Sequence, residues 1–334
     1  MEKNYKRLAE LEQLVGNTPM IQIFFKFKGK ERKMFVKLEF YNYTGSIKDR
    51  MALNCLKRAY QTGQIKEGYS IAETTSGNTG IAFSAQGRFL GHECMIFMPN
   101  WMSEERIKMM KSFGATVQLV CREEGGFLGC IEKTKEYAKQ GNVYIPDQFQ
   151  NPYNVEAHYI GTGPEIFRQM NRLSEKIDGF VAGVGTGGTV MGVGKYLRSI
   201  DHKVKIFPME PKSSPTLSTG FQVGKHRIAG ISDEFIPAIM DLKFCDEIIM
   251  VDCGDAIIMA QELGKVLGLG VGISSGANFI AAIKAADLIK RGANIVTVFS
   301  DDNKKYLSTD YAKEEPVKEG FLSSVIELQG FKAV

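Results

Sequence analysis

Short apolar runs of strand length alternate with longer amphipathic stretches along most of this chain, and that alternation restricts the fold more than any other feature. The strand-length runs are Met34–Leu38, Ser70–Glu73, Cys94–Met98, Thr116–Val120, Phe180–Val184, Val204–Met209, Glu247–Val251 and Ile295–Phe299. Helical periodicity follows most of them, as in Met51–Gln61 and Ile107–Phe113. A strand followed by a helix, repeated, predicts an α/β fold with largely parallel sheets, since parallel neighbours need a crossover between them. With 334 residues the chain exceeds the roughly 100–200 of an ordinary domain, so two domains are expected.

Charge and composition exclude several classes of function. The 42 basic and 38 acidic residues are mixed along the chain, leaving a net charge of +4 without the basic stripe that tracks a nucleic acid. No apolar run approaches the roughly 20 residues that span a bilayer, and the N-terminal MEKNYKRLAELEQL lacks the apolar core of a secretory signal. Six cysteines lie scattered without CxxC spacing, as small core hydrophobes do. Together these features predict a cytoplasmic protein that binds neither membrane nor nucleic acid. His92, His158, His202 and His226 occur singly, with no spacing that would ligate a metal.

Glycine-rich turns fall where strands hand over to helices: TGS before Lys48, TSGNTG at 75–80, GVGTGG at 183–188 and SSG at 274–276. In open α/β sheets ligands bind at the carboxyl ends of strands, so these turns are expected to line one cleft. In YTGSIKDR (43–50) the turn Thr44-Gly45-Ser46 sets Lys48 near a helix N-terminus. In TTSGNTG (74–80) small hydroxyls and an amide meet the unpaired N–H groups of a helix start, which can clamp a carboxylate or can simply cap the helix. GVGTGGT (183–189) is an anion cradle. It fits one phosphate monoester, and it also satisfies GxGxxG with Glu210 at the end of the next strand, so a nicotinamide oxidoreductase is the rival reading. Asp301 and Asp302 form an acidic pair read as a solvated turn.

Taken together, LVGNTPMIQI, TGSIKDRMA, TSGNTGIAF, IFMPNWMSEERIKMM, QFQNPYNVEAHYIGTGPEI, AGVGTGGTVMG, HRIAGISDEFIPAI, GISSGAN and KKYLST resemble the cysteine synthase and cystathionine β-synthase family of fold-type II pyridoxal-phosphate enzymes. The similarity covers nearly residues 14–310. It implies a smaller substrate-clamping domain at 44–155, a larger cofactor domain from 1–43 plus 156–311, and a tail at 312–334. By resemblance, Lys48 carries pyridoxal 5'-phosphate and then moves the substrate's α-proton. Gly185, Thr186, Gly187, Gly188 and Thr189 hold the phosphate, Asn78 bonds the 3′-oxygen, and Ser274 faces the pyridine nitrogen. Thr75, Ser76, Thr79 and Gln148 match the residues that grip the substrate carboxylate. The implied reaction is β-replacement on a small amino acid through an aminoacrylate, with sulfide as nucleophile and cysteine as product, in a homodimer. Release of hydrogen sulfide from cysteine with serine as product, and cystathionine-type condensation, are the alternatives.

The sequence departs from that family at GISDEFIP (230–237), where cysteine synthases carry small uncharged residues. Ser232, Asp233 and Glu234 stand there, and an acid beside the reacting carbon would repel hydrosulfide while activating water. Asp233 is therefore a candidate catalytic residue and Ser232 a candidate substrate contact, unless the acids face solvent. Neither a haem-binding extension nor an adenosylmethionine-responsive module is expected. Trp101 and Met102 are read as packing residues.

Overall fold

The computed structural model describes residues 2–221, 224–232, 234–290 and 292–334. Its strands are β1 (Met20–Phe27), β2 (Lys30–Leu38), β3 (Ser70–Thr74), β4 (Cys94–Pro99), β5 (Thr116–Val120), β6 (Val143–Tyr144), β7 (Gly179–Gly183), β8 (Lys205–Pro211), β9 (Ile249–Val251), β10 (Ile295–Phe299) and β11 (Ile326–Ala333). Its α-helices are α1 (Glu2–Leu14), α2 (Lys48–Gln61), α3 (Asn78–Leu90), α4 (Glu104–Ser112), α5 (Gly126–Ala138), α6 (Pro152–Ala157), α7 (Gly163–Arg172), α8 (Gly188–Ile200), α9 (Thr216–Thr219), α10 (Cys253–Leu267) and α11 (Ile273–Ile289).

Two sheets result, a seven-stranded one in the order β11-β1-β2-β10-β7-β8-β9 and a four-stranded one in the order β5-β4-β3-β6. The smaller sheet is parallel throughout, and so is the larger from β2 to β9. Only β1 breaks the pattern, pairing antiparallel with β2 and β11. The fold is thus the parallel α/β architecture expected from the alternating pattern.

Side-chain alternation along the central strands builds a core on each face of the larger sheet. Phe180, Ala182, Val296 and Val298 point to the side covered by Ile166 and Met170 of α7 and Val190, Met191 and Leu197 of α8. Val181, Ile295 and Phe299 point to the side covered by α10 and α11. Helix α11 is buried along most of its length, and α10 packs so closely that a Cβ on Gly276 would come within 2.3 Å of the Ala256 carbonyl.

The smaller sheet has its own core, in which Met51, Leu56, Ile81, Phe83 and Ile96 pack together. Leu8 and Leu11, one turn apart on α1, are buried in this same core. Residues 1–43, all assigned to the larger unit on resemblance, are therefore divided: α1 packs with the small unit while β1 and β2 belong to the larger sheet. The segment 312–334 likewise ends as β11, paired antiparallel with β1 along its length apart from one register shift between Phe24 and Phe25. Its side chains are mostly exposed, which is why it carries no apolar run. Among the described residues no helix is long and apolar enough to cross a membrane.

Helix α2 begins in the small unit's core yet is anchored to the larger unit by buried ions. Arg50 reaches Glu39 after β2 at 2.6 and 2.9 Å and Glu165 on α7 at 2.8 and 2.7 Å, a two-pronged contact with each carboxylate. Lys37 on β2 completes the cluster 2.7 Å from Glu165. Burial pushes the Glu165 carboxyl up, but the Arg50 hydrogen bonds and charge, with Lys37, outweigh it and hold the group at about 2. The stabilisation from this group is full above the ordinary carboxylate range and is lost as pH falls toward 2. Replacing Arg50 with methionine strands two buried carboxylates on one lysine. The unfolding free energy at neutral pH, measured by urea titration, is expected to drop by about 3–5 kcal/mol.

Candidate functional site

Four helices start at one pocket between the two sheets. Lys48 opens α2, Asn78 opens α3, Gly188 opens α8 and Ser274 lies in the first turn of α11. The partial positive charge of these termini makes the pocket attractive to anions. Its walls include Lys48, Thr75, Ser76, Asn78, Thr79, Gln148, Gly185, Thr186, Thr189 and Ser274. Residues from four separate sequence motifs thus come together as expected.

The turn before Lys48 is held by Asp49. Its buried carboxylate accepts from the Thr44 N–H and the Thr44 hydroxyl, both at 2.8 Å, and from Gln86 at 3.2 Å. Lys48 itself is half-buried, and its N–H faces the Ser46 hydroxyl at 3.3 Å. Opposite it, the 74–80 loop is braced from within. The Thr75 hydroxyl accepts from the Gly77 N–H at 3.0 Å, and the Thr79 hydroxyl donates to Gln148 Oε1 at 2.6 Å. Gln148 Nε2 donates in turn to the Thr74 carbonyl at 2.8 Å, so the loop and Gln148 move as one piece.

The glycine loop 185–189 has the form of an anion cradle. Gly187 sits at φ +86°, a backbone that glycine adopts readily. A Cβ on Gly188 would lie 1.9 Å from Asn154 Oδ1, so a larger residue there would have to displace the Asn154 amide that ties the loop in place. Among the described residues the backbone N–H groups of Gly185, Thr186 and Gly187 make no hydrogen bond. Asn154 ties the cradle to the opposite wall, donating to Thr186 Oγ1 and to the Gln148 carbonyl, both at 2.9 Å. Behind Thr189 lies His158, whose Nε2 is 3.3 Å from the Thr189 hydroxyl and which burial pushes down to about 3. It is a neutral backing residue. Glu210, the acid that a dinucleotide reading requires, is instead buried and accepts from the Leu217 N–H at 2.7 Å and the Ser218 hydroxyl at 2.5 Å. That occupation removes it from any ribose.

Asp301 corrects the sequence reading of a solvated acidic turn. It is fully buried after β10, where Oδ2 accepts from Asn78 Nδ2 at 2.7 Å and from the Tyr306 hydroxyl at 2.5 Å. The carboxylate orients the amide of Asn78 across the cleft, leaving Asn78 Oδ1 buried and without a partner among the described residues.

An outer cleft of about 880 Å³ continues from the pocket. The two share Ser76, Arg106, Phe127, Gly230 and Ile231. Arg106 passed unnoticed in the sequence, yet it is buried with its guanidinium 4.7 Å above the Tyr306 ring and lines both spaces. Trp101 is half exposed at the rim under the Arg122 guanidinium, 5.0 Å away. Ser232 belongs to the outer cleft, but its hydroxyl donates to the Ser214 carbonyl at 2.9 Å and lies 3.2 Å from Thr216 Oγ1, turned away from Lys48. Its φ of +56° is a strained conformation for a side chain of this kind. Asp233 lies outside the described residues. Glu234 lines the outer cleft, and burial pushes its carboxyl up. Among the described residues no group of acids, histidines and cysteines could hold a metal ion.

A lysine at a helix start, a glycine-rich cradle of unpaired N–H groups, and a hydroxyl from a third helix suit a phosphorylated aldehyde cofactor, and with two largely parallel sheets they define the fold-type II class. The family model for pyridoxal-phosphate dependent enzymes matches residues 11–301. A cysteine synthase of Staphylococcus aureus is 38% identical over 304 residues, covering 91% of this chain and 97% of its own. The crystal structure of a hydrogen sulfide-producing enzyme from Fusobacterium nucleatum is 59% identical, covers 99% of this chain and 100% of its own, and superposes with a TM-score of 0.95. An aspartate-to-asparagine variant of that enzyme holds an α-aminoacrylate intermediate. A cysteine synthase from Entamoeba histolytica is 35% identical over 94% of each chain, with a TM-score of 0.84.

The chain belongs to the pyridoxal-phosphate dependent enzyme family. Its cofactor is pyridoxal phosphate, and its chemistry is β-replacement on a small amino acid. Because Gly188 has no room for a methyl, Gly188→Ala is expected to raise the dissociation constant for pyridoxal phosphate about tenfold or more. That matches the about 1–3 kcal/mol cost of overpacking and is measurable by fluorescence titration of the cofactor-free protein.

Proposed function

We propose that the protein exchanges the thiol of cysteine for water, releasing hydrogen sulfide and leaving serine. The observation that carries this reading is its 59% identity to the hydrogen sulfide-producing enzyme over 99% of the chain, against 35–38% to cysteine synthases. The acidic segment at 233–234, with Glu234 in the outer cleft, supports it from the chemistry of the cleft itself. A carboxylate there disfavours an incoming anion such as hydrosulfide and favours neutral water.

In this reading Lys48 carries the cofactor, Gly185 to Thr189 hold its phosphate, Asn78 reaches its 3′-oxygen under the direction of Asp301, and Ser274 faces its ring nitrogen. Bound pyridoxal phosphate supplies the electron sink that lets an α-proton leave. Thr75, Ser76, Thr79 and Gln148 grip the substrate carboxylate. The Lys48 amine takes the α-proton, and sulfide departs with the electrons of the carbon–sulfur bond. Water then adds its oxygen at the β-carbon, Asp233 or Glu234 takes its proton and passes it to the hydrosulfide, and Lys48 returns a proton to the α-carbon. Cysteine and water enter; serine and hydrogen sulfide leave. Ser232 contributes through the shape of its segment, its hydroxyl being engaged with the 214–216 turn.

A second reading, formation of cysteine from O-acetylserine and sulfide, is favoured by the cysteine synthase relatives and uses the same residues on another leaving group. In either case the protein works as a cytoplasmic homodimer whose smaller unit, centred on 44–155, closes on the larger one to exclude water.

Incubated with cysteine alone, the holoenzyme is expected to release sulfide and serine in equal amounts. Pyruvate in place of serine would mean simple elimination, and sulfide consumption with O-acetylserine outpacing sulfide release would favour synthesis. Thr79→Ala, which frees Gln148, is expected to raise the KM for the amino acid several-fold while leaving the cofactor absorption band in place.

A further inference from the structure

Beneath the loop that grips the substrate carboxylate lies a second, buried carboxyl that the reaction does not use. Glu73 is on β3 between β4 and β6, 2% exposed, immediately before Thr74. Its Oε1 accepts from the Thr74 N–H at 2.9 Å, and Thr74 holds Gln148 through its carbonyl at 2.8 Å. The Thr74 hydroxyl is shared with Thr134 at 2.7 Å. On the other side Asp147 and Gln148, which follow β6, lie close to the same carboxyl. Asp147 is held at φ +50°, the left-handed backbone that residues other than glycine rarely adopt. Glu73 therefore joins both halves of the clamp, the 74–79 loop and Gln148.

The surroundings of this carboxyl are poor for a negative charge. Oε2 is buried with no hydrogen-bond partner among the described residues. Asp147 faces it after β6, Tyr144 on β6 and Cys55 on α2 lie near enough to feel its charge, and Lys135 on α5 acts on Asp147. Burial, followed by the Asp147 charge, pushes the Glu73 carboxyl up to about 8. Without a nearby cation to offset it, ionisation would add a negative charge behind a site built to receive another.

We propose that Glu73 is a positioning residue of the clamp that must stay neutral for an amino-acid carboxylate to bind, so that its ionisation at alkaline pH loosens the substrate. The inference rests on the reading that Thr75, Ser76, Thr79 and Gln148 hold that carboxylate. The sign is fixed by linkage: the bound form retains the Glu73 proton, so affinity is full below the midpoint of this group and falls as pH rises through it.

Propionate, which carries the carboxylate but neither a leaving group nor an amine that titrates in this range, serves as the probe, with its dissociation constant read as a competitive inhibition constant of the holoenzyme across pH. In the native protein the constant is expected to rise about tenfold by one pH unit above the midpoint. Glu73→Gln keeps an acceptor for the Thr74 N–H and removes the ionisation, so this rise should vanish while neutral-pH affinity is kept. Asp147→Asn preserves a residue that tolerates positive φ and removes the charge that disfavours Glu73 ionisation, so the rise should begin at lower pH. The proposal is overturned if Glu73→Gln keeps the native alkaline rise. It is equally overturned if Asp147→Asn leaves the midpoint unmoved or raises it, a result that decides the matter even if the Gln variant does not fold. Unchanged propionate affinity in Thr79→Ala would place the clamp elsewhere, whereas impaired affinity there together with an alkaline rise that persists in Glu73→Gln sinks Glu73 alone.

Discussion

Arg50 holds two carboxylates of the larger unit from a helix whose apolar face belongs to the smaller one, and the position of Lys48 depends on that hold. Lys48 stands two residues before Arg50, at the start of α2. An anchor so close in sequence fixes where the lysine amine can reach, and its partners Glu39 and Glu165 come from the turn after β2 and from α7 of the larger layer. Hydrophobic packing alone would leave α2 to follow the smaller unit. The buried ions make it answer to both.

Around that anchor the site is assembled from helix starts. α2, α3, α8 and α11 each begin at the pocket, so a single place receives the positive ends of four helix dipoles, and an anionic cofactor with an anionic substrate is what such a place favours. The cross-cleft bonds are few and specific. Asn154 joins the glycine loop to the Gln148 segment, and Asp301 holds Asn78, so the cradle, the clamp and the lysine turn are registered to one another before any ligand arrives.

Much of this was legible in the sequence, and the exceptions share a cause. Strands such as β3, β4, β7 and β10 are buried on both faces and read as continuous apolar runs. β6 has two residues and β11 lies exposed at a sheet edge, so neither gives a periodic signal. The glycine and hydroxyl loops announced themselves by composition, and the roles attached to them came from family resemblance. Arg106, Asn154, Glu73 and Asp301 did not stand out because their importance lies in what they meet. Asp301 looked like half of a solvated acidic pair, and its partner Asn78 is 223 positions away in sequence. Nothing local marks such a residue.

The pairing of β11 with β1 has a consequence for how the protein is made. β3 to β6, with the helices between them, lie within residues 70–144, so this part can gather its contacts while the rest is still being synthesised. The larger sheet cannot. Its strand β1 is made before the whole of the smaller sheet, but β10, which β2 pairs with, and β11, which covers β1, follow only after that sheet is complete. Until those strands are made the apolar strand MIQIFFKF has only β2 beside it, and it is the arrival of β11 that shields its open edge.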